Sequence, residues 1–200
     1  MPTGVAIRDP RKHLFEAAER ILLRDGPSGL TSRAVTEEAG VAKGVLHRHF
    51  ADFDAFLAEL VRERVGRLEG RGAALREAAG TGTVTGNLTT ALTDLFDGVA
   101  VSVVALVIAR DELRARLRAS GSRGVPLLTE AAGMLAGYLA AERERGRVTA
   151  DAELEVLAPT LLGAAHLLYA GREAGAPDEE AVEKVVRTVM AGALRDADRA

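Results

Sequence analysis

A short basic cluster stands out in residues 37 to 56, which read EEAGVAKGVLHRHFADFDAF. Lys43, His47, Arg48 and His49 fall within seven residues of each other, although the whole chain has a formal net charge of -3. Ammonium, guanidinium and imidazole groups held this close together can donate hydrogen bonds to phosphate oxygens and to base edges. The cluster therefore indicates a local binding surface for an anionic partner.

A helix through this cluster would have two unlike faces. At about 100° per residue, Leu46 and Phe50 share one face, which can pack on Val35 and Ala39 of a preceding helix. The opposite arc carries Gly44, Val45, His47 and Arg48, flanked by Lys43 and His49. We therefore predict a short helix that is buried on one side and basic on the other.

The preceding residues supply a second short helix. Thr31 is a good N-cap for a helix over residues 32 to 39, and Gly40 then breaks it. Two short helices separated by one break match a helix-turn-helix, whose second helix enters the major groove of DNA. The sequence thus predicts that the basic arc meets duplex DNA.

The segment LTSRAVTEEAGVAKGVLHRHFADFDAFLAELV, residues 30 to 61, resembles the DNA-binding segment of the tetracycline-repressor family. The resemblance lies in the glycines, in Val41 and Leu46, and in the pair His49 and Phe50. It implies an N-terminal three-helix DNA-binding domain and a C-terminal helical domain that binds an effector and dimerises.

Carried over position by position, the resemblance implies a set of DNA contacts. Phosphate contacts are implied for Thr31, Lys43, His47 and His49, and base or groove contacts for Arg33, Gly44, Val45 and Arg48. Arg8, Arg11 and Lys12 could brace the DNA backbone. Three positions depart from the family pattern, which usually has Ser or Thr at Ala42, Thr at Val45 and Tyr at His47. The alternative for each basic residue is a solvated side chain with no partner.

Composition limits the function classes. The chain has 200 residues, 48% hydrophobic content and no cysteine, which excludes a disulfide framework, thiol catalysis and cysteine-ligated zinc. Residues 1 to 50 hold eight Lys and Arg against six Asp and Glu, whereas the remainder holds eighteen against twenty-three. No apolar run reaches the ~20 residues of a membrane span. We expect a cytoplasmic protein with no membrane association, no cofactor and no metal.

Helical periodicity dominates the rest of the chain, so the expected fold class is all-α. Asp9 and Pro10 start a first helix that ends near Asp25, and Asp52 caps a long helix to about residue 79. GTGTVTG, residues 80 to 86, lacks the strand that a phosphate loop needs and is predicted to be a linker. Further helices are predicted over residues 84–109, 111–119, 124–146, 151–174 and 178–197. The predicted domains are 1–51, for DNA binding, and 52–200, for effector binding and dimerisation.

The last two predicted helices have wide apolar faces suited to a dimer. The predicted interface residues are Leu157, Leu161, Leu168, Val182, Val186, Val189 and Met190. Apolar stripes on the middle helices, together with isolated polar residues among them, predict the effector pocket. Its predicted residues are Asn87, Leu92, Phe96, Val103, Met134, Tyr138, Thr160 and His166. Ordinary core packing is the alternative for both sets.

Three classes of function compete. The first is a ligand-responsive transcriptional regulator, more often a repressor in this family, that binds a palindromic operator as a homodimer and is released by a small hydrophobic or aromatic effector. An enzyme is disfavoured because the sequence has no HExxH, no nucleophile elbow and no Gly-rich loop after a strand. A helical protein-interaction module, or a regulator without an effector, stays open as the alternative.

Overall fold

A computed structural model describes residues 9–96, 98–171 and 177–195. Within these ranges the chain forms helices joined by turns, and the predicted all-α class is confirmed. The helices are α1 (Pro10–Gly29), α2 (Ser32–Glu38), α3 (Gly44–His49), α4 (Phe53–Glu77), α5 (Val84–Phe96), α6 (Ala100–Ala109), α7 (Asp111–Ala119), α8 (Leu128–Glu144), α9 (Leu154–Ala170) and α10 (Glu179–Met190).

The chain divides into two compact units. Unit 1 holds Met1–Arg62 with Ser102–Ser122, and unit 2 holds Glu63–Val101 with Arg123–Ala200. Two limits of the units therefore fall inside α4 and α6, and the third falls between α7 and α8. The predicted boundary between residues 51 and 52 concerns function rather than packing, and it stays a prediction.

Unit 1 is built on an aromatic cluster. The ring centroids of Phe15 in α1 and Phe56 in α4 lie 5.4 Å apart, and Phe50, which follows α3, lies 5.1 Å from Phe56. Leu46 and Val35 are completely buried beside this cluster. Aromatic pairs at these distances add to the stability that burial of their area provides. The cluster thus attaches α3 to the two longer helices of its unit.

Side-chain caps begin three helices where the sequence predicts them. Asp9 accepts a hydrogen bond from the Lys12 N–H at 3.0 Å, and Thr31 accepts one from the Ala34 N–H at 3.1 Å. Asp52 accepts from the Ala55 N–H at 2.6 Å. Each cap satisfies an N–H group that the first helical turn leaves unpaired.

Several predicted helix limits are wrong. The last helix, expected to reach residue 197, ends at Met190, and the first, expected to end near Asp25, continues to Gly29 across a kink at Gly26. The helix expected over residues 84–109 is two helices, because Gly98 has a φ of 89°. This left-handed conformation suits glycine and ends a helical run. The helix expected from residue 124 begins at Leu128, because Gly124 has a φ of 57° and Leu127 a φ of 73°.

Unit 2 packs α8 and α10 against α9, and α10 also packs against α5. Residues 147–149 pair with the segment after α10, where the Thr149 N–H donates to the Ala193 carbonyl at 2.8 Å. Among the described residues no single helix is long and apolar enough to cross a membrane, although α5 and α6 taken together reach that length and composition with a bend between them.

Candidate nucleic-acid interface and cavities

The turn between α2 and α3 is fixed by its own backbone. Gly40 has a φ of 64°, which glycine adopts at little cost. Its N–H donates to the Glu37 carbonyl at 3.0 Å, and the Val41 N–H donates to the Thr36 carbonyl at 3.0 Å. These bonds satisfy carbonyls at the end of α2 and set the direction in which the chain enters α3.

The two faces of α3 are as unlike as the sequence predicts. Leu46 is 0% exposed and Phe50 is 4% exposed, so one face is part of the core of unit 1. Val45 and His49 are half-buried at the edges of the other face. The exposed residues there are Lys43, Gly44, His47 and Arg48. This outward arc, which we call the α3 arc, can donate hydrogen bonds from one ammonium, one guanidinium and one imidazole.

The two candidate residues of α2 already have partners within that helix. The Thr31 hydroxyl caps the helix, and the Arg33 Nε donates to Glu37 Oε1 at 2.7 Å. Both groups of this ion pair are mostly exposed, so it contributes little to stability and can open for another partner. DNA contacts by Thr31 and Arg33 stay predictions.

Of the N-terminal residues predicted to brace the DNA backbone, Arg11 makes contacts within the protein. Arg8 lies outside the described residues. Arg11 forms an ion pair with Glu59, donates to the His49 carbonyl at 3.2 Å and lies 4.5 Å from the centre of the Phe50 ring. Arg11 therefore joins α1 to the end of α3 and to α4, which sequence reasoning missed.

A second internal contact holds the helix-turn-helix from the side of α1. The Nε2 of His13 lies 2.9 Å from the carbonyl oxygen of Ala39, which is the last residue before the Gly40 turn. A carbonyl accepts a hydrogen bond, so Nε2 carries the proton in this contact. His13 was not predicted as a functional residue, and nothing in its local sequence distinguishes it.

Arginines near α7 hold the first turn of α4, which follows α3 directly. Arg116 Nη2 lies 2.7 Å from Asp52 Oδ2, and Arg110 lies 3.2 Å from Asp54 Oδ1. The Ala55 N–H, first, and then the Arg116 guanidinium lower the pKa of Asp52, against the effect of burial. These long-range pairs have no signal in the sequence, because their partners lie more than fifty positions apart.

Two cavities open inside unit 2, on either side of one methionine. The first lies between α4 and α8 and has a volume of about 390 Å³. The second lies between α4 and α5 and has a volume of about 250 Å³. Met134 of α8 lines both. We call them the α8 cavity and the α5 cavity.

The predicted effector residues separate into three groups in the structure. Asn87 and Met134 line the α5 cavity. Leu92, Phe96, Val103 and Tyr138 are buried and line neither cavity, so they are core residues of their units. Thr160 is exposed and donates to the Val156 carbonyl of its own helix at 2.7 Å. His166 lines a separate groove of about 550 Å³ between α8 and α9.

Asn87 and Tyr138 belong to a buried polar network. The Asn87 amide donates to the Tyr138 hydroxyl at 3.0 Å, and that hydroxyl donates to Glu142 Oε1 at 2.6 Å. Glu142 is 0% exposed, and its Oε2 accepts from the Gly80 N–H at 3.2 Å and lies 3.5 Å from Arg147. Burial and the Glu142 carboxylate raise the pKa of Tyr138. Sequence reasoning missed Glu142, whose surroundings are ordinary for a surface helix.

His166 should make stability depend on pH. Its Nδ1 is buried without a hydrogen-bond partner, and its ring centroid lies 5.6 Å from that of Phe96. Burial lowers the pKa of His166 in the folded chain, while the unfolded chain keeps a value of about 6.5. The unfolded chain therefore binds more protons below about pH 6.5, and acidification favours unfolding.

We predict that the free energy of unfolding is constant near neutral pH and falls as the pH drops through this range. Urea denaturation of the wild type and of His166→Leu between about pH 8 and pH 5 measures the difference. The variant should lose less stability on acidification. An equal loss in both proteins would contradict this role for His166.

The predicted dimer residues are not all available to a partner. Leu161, Val182, Val186 and Met190 are 0% exposed, so they pack inside their own protomer. Leu157, Leu168 and Val189 are half-buried. The apolar side chains that α9 exposes most are Val156, at 55%, and Leu167, at 73%. Apolar periodicity identified the helices but did not separate their inner from their outer faces.

Together α2, the Gly40 turn and α3 form a helix-turn-helix whose outward face is basic. Residues 14–60 match the family model "Bacterial regulatory proteins, tetR family". A stretch of 68 residues is 35% identical to the HTH-type transcriptional regulator PksA of Bacillus subtilis (strain 168), covering 32% of this chain and 33% of that protein. The matched region thus spans about a third of the length of this relative. The family resemblance noted in the sequence is confirmed over residues 14–60, which hold the helix-turn-helix.

Solved structures share the fold along nearly the whole chain. The reduced form of E. coli NemR has a TM-score of 0.74 and 17% identity, with coverage of 95% of this chain and 100% of NemR. FadR from Bacillus subtilis, solved in complex with stearoyl-CoA, has a TM-score of 0.66 and 16% identity, covering 90% of this chain and 98% of FadR. At these identities the likeness concerns the fold alone.

Proposed function

We propose that this chain is a ligand-responsive transcriptional regulator that acts in the cytoplasm as a repressor. It binds a palindromic operator as a homodimer, and a small hydrophobic effector releases it. The α3 arc carries this proposal, because a short helix that is buried through Leu46 and Phe50 presents four exposed residues, and three of these four have basic side chains. Surfaces of this kind suit phosphate and base contacts in a major groove.

The exposed residues of α3 suggest separate roles. Lys43 and His47 are suited to phosphate oxygens, which fix the position of the helix on the duplex. Arg48 can donate two hydrogen bonds to a guanine, and the methyl groups of Val45 can contact a thymine methyl. A helix of six residues reads only a few base pairs, so two copies are needed for useful affinity.

The proposed dimer surface is the exposed side of α9. Val156, Thr160, Gly163 and Leu167 recur at helical spacing and are all exposed in the single chain. Small residues between the two apolar ones allow another helix to approach closely. The proposed surface leaves out four residues of the predicted interface that are buried in the protomer: Leu161, Val182, Val186 and Met190. Of the half-buried predicted residues, Leu157 and Leu168 lie beside the stripe on α9, and Val189 lies on α10. A two-fold axis through α9 would bury both stripes against each other.

Leu167→Arg should separate the dimer. Burial of one leucine side chain contributes about 2 kcal/mol, and each dimer contains two copies, so the dissociation constant should rise by about a hundredfold or more. Analytical ultracentrifugation over a range of concentrations measures this change. Thr188→Arg, at an exposed position of α10, is the matched control. A Leu167→Arg protein that stays as dimeric as the control would exclude this surface.

The two cavities beside Met134 support effector control. Their volumes of about 390 and 250 Å³ bracket the lower end of the ~300–1,000 Å³ that small-molecule sites occupy. The neighbour FadR was solved with stearoyl-CoA, which accords with an apolar effector for this fold. Release requires that the effector bind one conformation of the dimer more tightly than the conformation that fits the operator.

The proposal is tested with DNA that flanks the coding region of this chain. Fluorescence anisotropy at several salt concentrations should give a steep fall of affinity with salt, because each phosphate contact releases counterions. A palindromic fragment should bind one dimer or more, and a scrambled fragment of equal length should bind far more weakly. Binding that is weak and independent of salt would favour a helical protein-interaction module instead.

A further inference from the structure

The α8 cavity and the α5 cavity are separated by one flexible side chain. Met134 lines both, and it is half-buried rather than enclosed. A Cβ atom added at Gly72 would lie 3.1 Å from the Met134 Cγ, so this glycine of α4 is what leaves room for the thioether. Methionine is unbranched and changes rotamer readily, so the Met134 side chain can move out of the space between the two cavities.

The apolar side chains that line the two cavities are all aliphatic or the thioether of Met134. The α8 cavity is lined by Val65, Leu68, Glu69, Gly72, Arg76, Glu130, Gly133, Met134 and Gly137. The α5 cavity is lined by Arg71, Ala74, Leu75, Ala78, Asn87, Thr90, Ala91, Asp94, Leu95 and Met134. Neither of these sets contains an aromatic side chain, so stacking would not contribute to binding there.

Charged groups of both signs line the cavities. Arg71 and Arg76 are exposed, as are Glu69 and Asp94, and Glu130 accepts a hydrogen bond from the Leu127 N–H at 2.7 Å. Cations and carboxylates are thus both available to a ligand's polar end. The apolar part of the ligand must supply most of the selectivity.

We propose that the effector carries a flexible, unbranched aliphatic chain that occupies both cavities at once when the Met134 side chain swings aside. This inference rests on the proposed effector control and names the chemical class of the effector. The α5 cavity alone, at about 250 Å³, is smaller than the usual range of ~300–1,000 Å³, while the α8 cavity, at about 390 Å³, is near its lower end; a ligand that occupies both has space well within that range. A flexible chain can bend around Met134 from one cavity into the other.

Calorimetric titration of the full chain without DNA tests this inference. The probes are two series, n-alkanoates and 1-alkanols, of about 6 to 14 carbons, each used below its aggregation limit. Affinity should rise by up to about fourfold for each added methylene, which corresponds to ~0.8 kcal/mol per buried CH₂. The rise should stop once both cavities are full, at one ligand per protomer. The two series separate the effect of the chain from that of the head group.

Variants that fill one cavity decide whether the two act together. Gly137→Leu projects toward the α8 cavity, where a Cβ atom would lie 3.5 Å from Arg76 Cδ. Ala91→Leu fills the α5 cavity. Each should lower the affinity of the longest chains by about tenfold or more, the value of two lost methylenes, and leave the shortest almost unchanged. Gly70→Leu, on α4 but with open space around its Cβ position, is the control.

Met134→Ile tests whether movement of the residue-134 side chain is needed for a ligand to occupy both cavities. Isoleucine has a similar volume but is stiff at χ1, so it should weaken the binding of long chains only. Affinity independent of chain length in both series, or two ligands per protomer with each filling variant removing one, would overturn the inference. Because no DNA is present, these results do not depend on operator binding, which the anisotropy experiment tests separately.

Discussion

Lys43→Ala is expected to weaken operator binding by more than about a hundredfold. A hydrogen bond to a charged group contributes about 1.5–3 kcal/mol, and the proposed dimer makes this contact twice. Lys43 stands at the start of α3, is exposed and makes no side-chain cap, so its removal should leave the fold intact. The slope of log affinity against log salt should also fall by about 2, since two phosphate contacts are lost.

The chain offers a matched control for this experiment. Its three lysines are Lys12, Lys43 and Lys184, and Lys184 is exposed on α10. Lys184→Ala removes the same charge and should leave both affinity and salt slope unchanged. If Lys43→Ala lowered the affinity without changing the slope, Lys43 would act through the position of α3 and not through phosphate. If both variants behaved alike, the α3 arc would lose its proposed role.

Local signals explain what the sequence predicts well. Asp9, Thr31 and Asp52 begin helices in the structure because a capping side chain acts on an N–H only three residues away. Leu46 and Phe50 are buried because their spacing places them on one face of a short helix. The break at Gly98 is equally local, but the sequence does not predict it, since glycine within an apolar run can also continue a helix.

Long-range contacts explain what the sequence does not predict. Nothing near Arg11 distinguishes a cation that faces phosphate from one paired with Glu59, 48 residues away. In the same way, the periodicity of α10 predicts an apolar face but not that Val182, Val186 and Met190 pack within the protomer. Helical patterns give the direction of a face relative to its own helix, and the partner of that face depends on the tertiary fold.

Glu142→Ala should cost about 3–5 kcal/mol of folding free energy, the usual effect of removing one partner from a buried, hydrogen-bonded ion pair. The change would leave the Tyr138 hydroxyl and the Gly80 N–H without their acceptor, and Arg147 would lose the carboxylate 3.5 Å away. Glu142 lies at the end of α8, and its partners lie in the turn before α5 and in the segment after α8. Its loss should therefore loosen three parts of unit 2 together.

Thermal and urea denaturation measure this effect, with an expected fall in Tm of roughly 2–4 °C for each kcal/mol lost. Glu144→Ala, two residues further along α8 and exposed, should change stability by less than about 0.5 kcal/mol. Glu142→Gln should fall between the two, because an amide oxygen can still accept the hydrogen bond from Tyr138 but no longer pairs with Arg147. Equal stability of the Glu142→Ala and Glu144→Ala proteins would mean that the network is hydrated and contributes little, since water would then replace the lost carboxylate.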